Sequence, residues 1–307
     1  MKSYLRISSP WSQLALFFVL MGAGIIFTSF LSALVLVFKG FTLTGVRNLD
    51  LSDPRMSLVV KWMQGISSIC FFLLPAILYA LITFRRRPLL FLGFRRAEKT
   101  FIYPVAILLL LVAVPLVSWL GEINQLIPLP ASLIDLEKEA ARQLEAFLKA
   151  KSGWDVTLNL LIMALLPAVC EEACFRGSLQ RILIHIFRSP WAGIVVTAIF
   201  FSAFHMQFQG FLPRMFLGLL LGALFWYGSS LWPNIIAHFF YNGIQVVLVI
   251  YYPRWINNNP EIPWLAALAS GLAVWGLLYL IRKKSAVTYA RIYDFEKVNE
   301  HNEFLAS

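Results

Sequence analysis

The sequence predicts an all-α polytopic membrane protein with about eight transmembrane helices. Of its 307 residues 59% are apolar and 15% aromatic, and the mean hydropathy is +0.73, which is more apolar than a water-soluble domain needs. Apolar runs near the roughly 20 residues that span a bilayer recur along the chain. The three cysteines form no CxxC pair, so a disulfide framework or redox chemistry is not indicated.

Eight apolar runs define the predicted helices. In chain order they cover residues 11–38, 57–84, 101–120, 156–182, 190–208, 211–228, 232–252 and 262–281. The first run is too long for a removed signal peptide and lacks a small-residue cleavage site, so it is predicted to be a retained helix. The following runs are each long enough to cross or nearly cross a bilayer, which predicts a bundle of closely packed helices.

Positive charges orient these helices. The net charge of +10 could suggest a nucleic-acid partner, but the basic residues lie in short tracts between apolar runs rather than on one soluble face, so no nucleic acid is predicted. The main tracts are Arg85, Arg86, Arg87, Arg95, Arg96 and Lys99; Arg181 and Arg188; and Arg282, Lys283 and Lys284. All fall on the cytoplasmic side if both termini are cytoplasmic, although Lys39, Arg47 and Arg55 fit less well. This predicts a multi-pass protein of the inner or plasma membrane.

Two segments lie outside the predicted membrane helices. Residues 132–150 alternate charged residues with apolar ones at helical spacing, which predicts an amphipathic helix. Ser132 followed by Asp135 resembles a capping box at its start. Two interpretations stay open: a helix on the membrane surface near the mouth of a site, or a solvated connector packed on the bundle. Residues 285–307 are polar and are predicted to form a cytoplasmic tail.

Polar residues inside the apolar runs are the main functional signal. They occur in the segments EEACFRG, FSAFH and HFFYN, which supply Glu171, Glu172, Arg176, Phe201, His205, His238 and Asn242. Carboxylates, imidazoles and amides are costly in a bilayer unless they face one another or a wet cavity. Convergent polar groups of this kind predict a site inside the helix bundle.

The two adjacent glutamates are predicted to have different roles. Glu172 and Arg176 stand four residues apart on one helical face and can form an ion pair. Glu171 then points about 100° away around the helix and is left for general acid–base chemistry. A Glu–Arg pair that only pins two helices together is the structural alternative, but it accounts for one glutamate and not for two.

The two histidines lie on separate predicted helices. Phe201 precedes His205 by four residues and is expected to lie beside the imidazole. His238 and Asn242 share a helical face and offer two hydrogen-bond donors, the number that an oxyanion requires. A packing histidine and an interhelical polar clamp are the structural alternatives. Straight helices with the limits above would put His205 and His238 at different depths, so either a limit is wrong or the helices tilt.

Taken together, the motifs EExxxR, FxxxH and HxxxN resemble those of the type II CAAX prenyl protease family, also called the CPBP or Abi family of intramembrane proteases. The segment LGLLLGALFWYGSSLWPNIIAHFFYN also resembles the run that precedes the family's histidine. The resemblance covers roughly residues 160–247 and implies three parts. These are N-terminal helices with the connector (1–153), a CAAX-protease-like catalytic core (154–252), and a last helix with its tail (253–307).

The resemblance implies a peptidase whose substrate is a membrane-embedded or lipidated peptide in a lipid bilayer. Glu171 would activate water together with His205, and His238 and Asn242 would stabilise the oxyanion. Glu172, Arg176 and Phe201 would support this site. Processing of prenylated CAAX proteins and processing of bacterial membrane peptides both remain open as the biological role.

The cofactor is also left open by the sequence. The residue types allow a zinc ion held by Glu171, His205 and His238, with water as the open ligand. The chain has no HExxH motif, and a glutamate and two histidines on three separate helices fit a metal site and a metal-free glutamate mechanism equally well on spacing. Glutamate catalysis is the favoured interpretation.

Two further classes of function compete with the enzyme. A non-catalytic scaffold or a bacteriocin self-immunity protein would keep the polar cluster only to lock helices together. A proton-coupled transporter would use the Glu and His residues as a relay. Transporters often contain two similar halves, and the sequence shows no internal repeat, so the transporter is the weaker alternative.

Overall fold

The computed structural model describes residues 5–38, 54–84, 87–150, 152–252 and 261–293. Within these ranges the chain is helical and forms no β-strand, apart from an isolated bridge between Leu5 and Phe84. This confirms the predicted all-α fold. Several residues used for the topology prediction, Lys39, Arg47, Arg85 and Arg86, lie outside the described residues, as do residues 294–307 of the predicted tail.

The described part of the N-terminal half contains seven helices, two of which join into one longer helix. They are α1 (Pro10–Phe38), α2 (Pro54–Ser68), α3 (Leu74–Thr83), α4 (Pro88–Leu92), α5 (Ile102–Val112), α6 (Val114–Gln125) and α7 (Ala131–Leu148). A π-helical turn, Ile69–Leu73, joins α2 to α3 into one long helix. Helices α5 and α6 also follow one another closely, and together they are long enough to span a bilayer.

The remaining helices carry the candidate site. They are α8 (Gly153–Leu160), α9 (Leu166–Glu171), α10 (Arg181–Phe187), α11 (Pro190–Ala203), α12 (Phe211–Gly228), α13 (Leu231–Tyr251), α14 (Trp264–Lys284) and α15 (Tyr289–Tyr293). Helices α8, α9 and α10 form one continuous rod, because π-helical segments at Leu161–Leu165 and Glu172–Gln180 join them. A short 3₁₀ turn, Phe208–Gly210, leads into α12.

Seven of the described helical segments are long and apolar enough to cross a membrane, as expected for an integral multi-pass membrane protein. They are Pro10–Phe38, Ser57–Thr83, Ile102–Gln125, Gly153–Phe187, Phe208–Gly228, Leu231–Tyr251 and Trp264–Lys284. The fifth predicted helix, at 190–208, is wrong at its C-terminal end. The helix there is α11, which ends at Ala203 and is too short to be counted as a span.

A left-handed residue explains the early end of α11. Met206 has φ 53°. Residues other than glycine seldom adopt this left-handed conformation, and it cannot continue a right-handed α-helix. Just before it, the Ser202 hydroxyl donates to the carbonyl of Phe211 at 2.7 Å, which ties the last turn of α11 to the first residue of α12. The chain therefore turns sharply between the two helices, and this turn carries His205.

The predicted amphipathic helix is present as α7, but its predicted cap is wrong. The helix begins at Ala131 after Pro130, so Ser132 and Asp135 both lie inside it and form no capping box. A capping box does occur at the start of α8. There the Ser152 hydroxyl accepts from the backbone N–H of Asp155 at 3.2 Å, and the Asp155 carboxylate accepts from the backbone N–H of Ser152 at 3.0 Å.

The start of α13 is fixed by the loop between α4 and α5. The Leu231 N–H donates to the Gly93 carbonyl at 2.8 Å, and the Arg95 guanidinium donates to the Ser229 carbonyl at 2.6 Å. The Ser230 hydroxyl donates to the Arg95 carbonyl at 2.5 Å. These bonds fix the start of α13. They therefore also fix the position of His238, which lies about two turns further along this helix.

Candidate active site

Three chain segments carry the seven candidate residues, and contacts between side chains connect all of them except Asn242. Glu171 is the last residue of α9, and Glu172 and Arg176 lie in the π-helical segment that follows. Phe201 lies on α11 and His205 in the turn after it, while His238 and Asn242 lie on α13. The π-helical segment departs from the regular α-helix expected from the sequence. Such widened turns occur mostly as short insertions and frequently at functional sites.

A fully buried ion pair lies at the centre of the cluster. Arg176 Nη1 is 3.0 Å from Glu172 Oε1, and both side chains have 0% exposure. The second carboxylate oxygen of Glu172 accepts from Asn234 Nδ2 at 3.0 Å, and the same amide donates to the Leu221 carbonyl at 2.7 Å. Because a buried charge is tolerated only when it is paired and hydrogen-bonded, these contacts fix Glu172 as a structural anion.

Phe201 and a glycine-rich face of α12 enclose the guanidinium of Arg176. Its carbon Cζ lies 4.4 Å from the centroid of the Phe201 ring, a cation–π arrangement, and Nη2 donates to the Gly218 carbonyl at 3.3 Å. One helical turn away, Gln180 Nε2 donates to the Gly222 carbonyl at 3.0 Å. The π-helical segment is therefore tied to α12 by two side chains that bind backbone carbonyls.

Gly218 and Gly222 permit this close approach. A Cβ atom on Gly218 would lie 3.1 Å from both Cα and Cβ of Ala198, and one on Gly222 would lie 2.8 Å from Ile194. Helices α11 and α12 thus pack with little space between their backbones, as the small-xxx-small spacing predicts. The glycines bring Phe201 over Arg176 because any larger residue would separate the two helices.

His238 is held in one orientation by Glu172. Its Nδ1 lies 2.9 Å from Glu172 Oε1, and because an ionised carboxylate only accepts hydrogen bonds, Nδ1 carries the hydrogen. The opposite ring nitrogen, Nε2, lies 4.0 Å from Glu171 Oε2. The His238 and Glu171 side chains are 7% and 12% exposed, so both are largely but not completely enclosed. The adjacent glutamates therefore contact the same imidazole from its two ends.

His205 has a matching arrangement with a different acceptor. Its Nδ1 donates to the Phe201 carbonyl at 2.8 Å, since a carbonyl oxygen can only accept, and this leaves Nε2 of the neutral ring with a free lone pair. His205 itself is exposed. The FxxxH spacing thus fixes the tautomer of the histidine as well as placing an aromatic ring beside it.

The phenyl ring of Phe201 packs against both histidines. Its centroid is 5.1 Å from the His205 ring and 6.1 Å from the His238 ring. The predicted helix limit was wrong here, because α11 ends at Ala203, before His205. Phe201 packs edge-on against both rings, which restricts their orientations.

Glu171 and Asn242 have polar groups that remain available. Neither the Glu171 carboxylate nor the Asn242 amide makes a hydrogen bond with any residue that the structure describes, and neither side chain is fully buried. Asn242 lies one helical turn beyond His238 on the same face of α13. The Glu171 carboxylate lies beside His238, and Asn242 lies on the same helix as that histidine, so both groups keep their hydrogen-bonding capacity close to His238 in the chain or in space.

The donor types suit zinc, but their arrangement does not. Glutamate and neutral imidazole are zinc ligands, and each histidine has its second nitrogen anchored as metal-bound histidines usually do. Nevertheless, the described residues contain no group of three His, Cys, Asp or Glu side chains placed to hold one metal ion. Glu171, His205 and His238 therefore do not fit a three-ligand zinc site in this geometry.

Sequence reasoning missed Asn234. Its side chain is completely buried and binds the Glu172 carboxylate. The signal was present, because Asn234 precedes His238 by four residues, as His238 precedes Asn242, so the three polar residues form one stripe on α13. Gln180, which follows Arg176 by four residues, was missed in the same way.

Residues 153–244 match the family model described as type II CAAX prenyl endopeptidase Rce1-like. The match confirms the resemblance over this segment, which contains all of the candidate residues from Glu171 to Asn242. Comparisons with curated proteins and with solved structures gave no significant match.

Proposed function

Because its core matches the type II CAAX prenyl endopeptidases, we propose that this protein is an intramembrane endopeptidase that hydrolyses a peptide bond of a membrane-associated or prenylated substrate. One observation carries the proposal. Glu171, which has no hydrogen-bond partner among the described residues, faces Nε2 of a histidine whose other nitrogen is fixed by a buried carboxylate. A base and a directed imidazole are what water-dependent hydrolysis of an amide requires.

In the proposed reaction Glu171 is the general base. The 4.0 Å separation of Glu171 Oε2 from His238 Nε2 is too long for a direct hydrogen bond, so the carboxylate is free to accept a hydrogen bond from a water molecule. Glu171 removes a proton from this water as its oxygen attacks the substrate carbonyl carbon. His205, whose Nε2 can accept a hydrogen bond, orients the water from the other side.

His238 and Asn242 stabilise the oxyanion that forms. The Asn242 amide donates one hydrogen bond. His238 can donate from Nε2 only when both ring nitrogens are protonated, so the proposed reaction uses the imidazolium, with Nδ1–H on Glu172 and Nε2–H on the oxyanion. Collapse of the intermediate breaks the C–N bond, and the proton held by Glu171 passes to the leaving amine. One water is consumed, and a carboxylic acid and an amine are released.

The oxyanion role makes Asn242 a testable residue. We expect Asn242→Ala to lower kcat by about 100- to 1,000-fold with a much smaller change in KM, because the lost donor acts mainly in the transition state. Steady-state cleavage of a fluorescent peptide checks this. The matched control is Gln245→Ala, which removes an exposed amide on the same helix. Equal losses for both variants would contradict the assignment.

The proposed mechanism contains no metal step, which a chelator tests. We expect 1,10-phenanthroline or EDTA, after dialysis, to leave cleavage within about twofold of the untreated enzyme, because Glu171 itself activates the water. Elemental analysis of the purified protein supplies an independent readout of bound zinc. Loss of activity on chelation, restored by added zinc, would replace this mechanism with a metal-dependent one.

The substrate class is tested with a panel of peptides. One arm carries a farnesylated peptide with a C-terminal CAAX sequence, and the other an unlipidated transmembrane peptide, each with the purified protein in lipid nanodiscs. Selective cleavage of the farnesylated peptide supports CAAX-like processing, and selective cleavage of the second supports processing of membrane peptides. If neither peptide is cut while the protein is folded, the proposed endopeptidase activity is contradicted for both substrate classes.

A further inference from the structure

The turn that carries His205 is held by residues that precede the family-matching segment. This turn consists of residues 204–210, between α11 and α12. We infer that Glu137, on the amphipathic helix α7, is a positioning residue for His205. Glu137 Oε1 accepts from the backbone N–H of Phe208 at 2.6 Å and of Gln209 at 3.3 Å, and Oε2 accepts from Gln209 at 3.2 Å. The inference rests on the proposed function, which makes His205 part of the active site.

The carboxylate satisfies backbone donors that the helix itself cannot. The first N–H groups of a helix have no intrahelical acceptor, and the positive end of the helix dipole favours an anion there. Phe208 and Gln209 begin the 3₁₀ turn that leads into α12, and no side chain within that turn caps it. Glu137 thus acts as an N-terminal cap supplied by a different helix, with charge-assisted hydrogen bonds that are stronger than neutral ones.

Asn124 of α6 holds the same segment from a second direction. Its Nδ2 donates to the Phe208 carbonyl at 2.7 Å, and its Oδ1 accepts from the Leu212 N–H at 2.7 Å. The side chain is 2% exposed, so both bonds are shielded from water. Helices α6 and α7 therefore both bind the backbone of Phe208, and Asn124 also binds the first turn of α12.

Phe208 is only three residues from His205, and the residues between leave little freedom. Met206 has φ 53°, which a non-glycine residue keeps only when its surroundings enforce it. The Gln207 side chain accepts from Arg214 at 2.9 Å, and the same guanidinium also donates to the Gln207 carbonyl. A displacement of Phe208 is therefore transmitted through Gln207 and Met206 to the imidazole.

This contact gives α7 a function beyond connecting two parts of the chain. Of the two interpretations that the sequence left open, the contact favours a helix beside the site. The apolar end of α7 is also anchored, since Phe147 and Leu148 are buried against Leu158 and Val246 of the core helices. The helix is thus fixed at one end by apolar packing and near the other by the bond from Glu137 to the His205 turn.

The experiment compares two glutamates on α7 in the full-length protein in nanodiscs. Glu137→Ala removes the cap, whereas Glu139→Ala removes a 51% exposed carboxylate that contacts only Arg142 and Gln143 among the described residues. Hydrogen–deuterium exchange follows the backbone N–H groups of 208 and 209, and steady-state kinetics separates kcat from KM. We expect Glu137→Ala to speed exchange at these two positions about tenfold or more and to lower kcat about 10- to 100-fold, with KM within about twofold.

Glu137→Gln keeps one acceptor oxygen and is expected to fall between wild type and Glu137→Ala in both readouts, while Glu139→Ala matches wild type. Unchanged exchange in Glu137→Ala would overturn the contact whether or not the protein is a protease. Faster exchange with an unchanged kcat would overturn the positioning role. If the unmodified protein cleaves nothing, the proposed function fails instead, and the exchange data still decide the contact.

Discussion

Replacing Glu171 with glutamine is expected to lower kcat for peptide cleavage by about 100- to 10,000-fold, the range typical of a lost general base. Glutamine has nearly the same shape but cannot take a proton from water. Because Glu171 makes no hydrogen bond with the described residues, the substitution should leave the fold intact. Cleavage of a fluorescent membrane peptide measures the loss, and thermal unfolding of the same preparation measures the stability.

The matched control is Glu261→Gln, which alters an exposed glutamate just before α14 and should retain full activity. A non-catalytic scaffold predicts the opposite pattern. On that hypothesis Glu171→Gln would preserve the cellular function, because the charge removed is not part of the buried ion pair. Full peptidase activity in Glu171→Gln would remove Glu171 from the mechanism.

Glu172→Gln is expected to destabilise the protein by about 3–5 kcal/mol, because it removes one member of a fully buried ion pair. The carboxylate of Glu172 contacts Arg176, Asn234 and His238 at 3.0, 3.0 and 2.9 Å. Without it the Arg176 guanidinium would stay buried with no counter-charge. The free energy of unfolding, from denaturant titration in mixed micelles, checks this prediction.

A double variant separates the charge effect from packing. Arg176→Met alone should also be destabilising, while Glu172→Met combined with Arg176→Met should cost less than the two single changes together, because no unpaired charge remains. Additive losses would contradict the assignment of the pair as an ionic unit. Glu172→Gln should also reduce activity, since His238 would lose the acceptor that fixes its orientation, so stability and kinetics must be measured on the same samples.

The sequence was sufficient to predict the helical membrane fold and the Glu172–Arg176 ion pair, because both depend on local patterns. Apolar runs identify membrane helices, and the i, i+4 spacing of Glu172 with Arg176 indicates an ion pair that the structure contains. The different surroundings of the two glutamates also follow from their positions on one helix. Glu172 is enclosed by partners, and Glu171 faces an imidazole across a gap.

The remainder depends on contacts between distant segments, which no local pattern encodes. The end of α11 at Ala203 depends on the left-handed Met206 and on the bond from Ser202 to Phe211, so an apolar run extending to residue 208 was misleading. The direction of the His238 ring depends on Glu172, 66 residues earlier. Glu137 contacts the His205 turn across a separation of 71 residues, and its sequence neighbourhood indicates only an exposed amphipathic helix.

Mass spectrometry of cleavage in H₂¹⁸O tests the central claim most directly. Purified wild type and Glu171→Gln would each be incubated with the farnesylated peptide and with the unlipidated transmembrane peptide, in the presence and absence of a chelator. We predict that wild type releases a product with one ¹⁸O in its new carboxylate whether or not the chelator is present, and that Glu171→Gln releases almost none. Equal product from both proteins, or no product from folded wild type with either peptide, would contradict a Glu171-dependent endopeptidase.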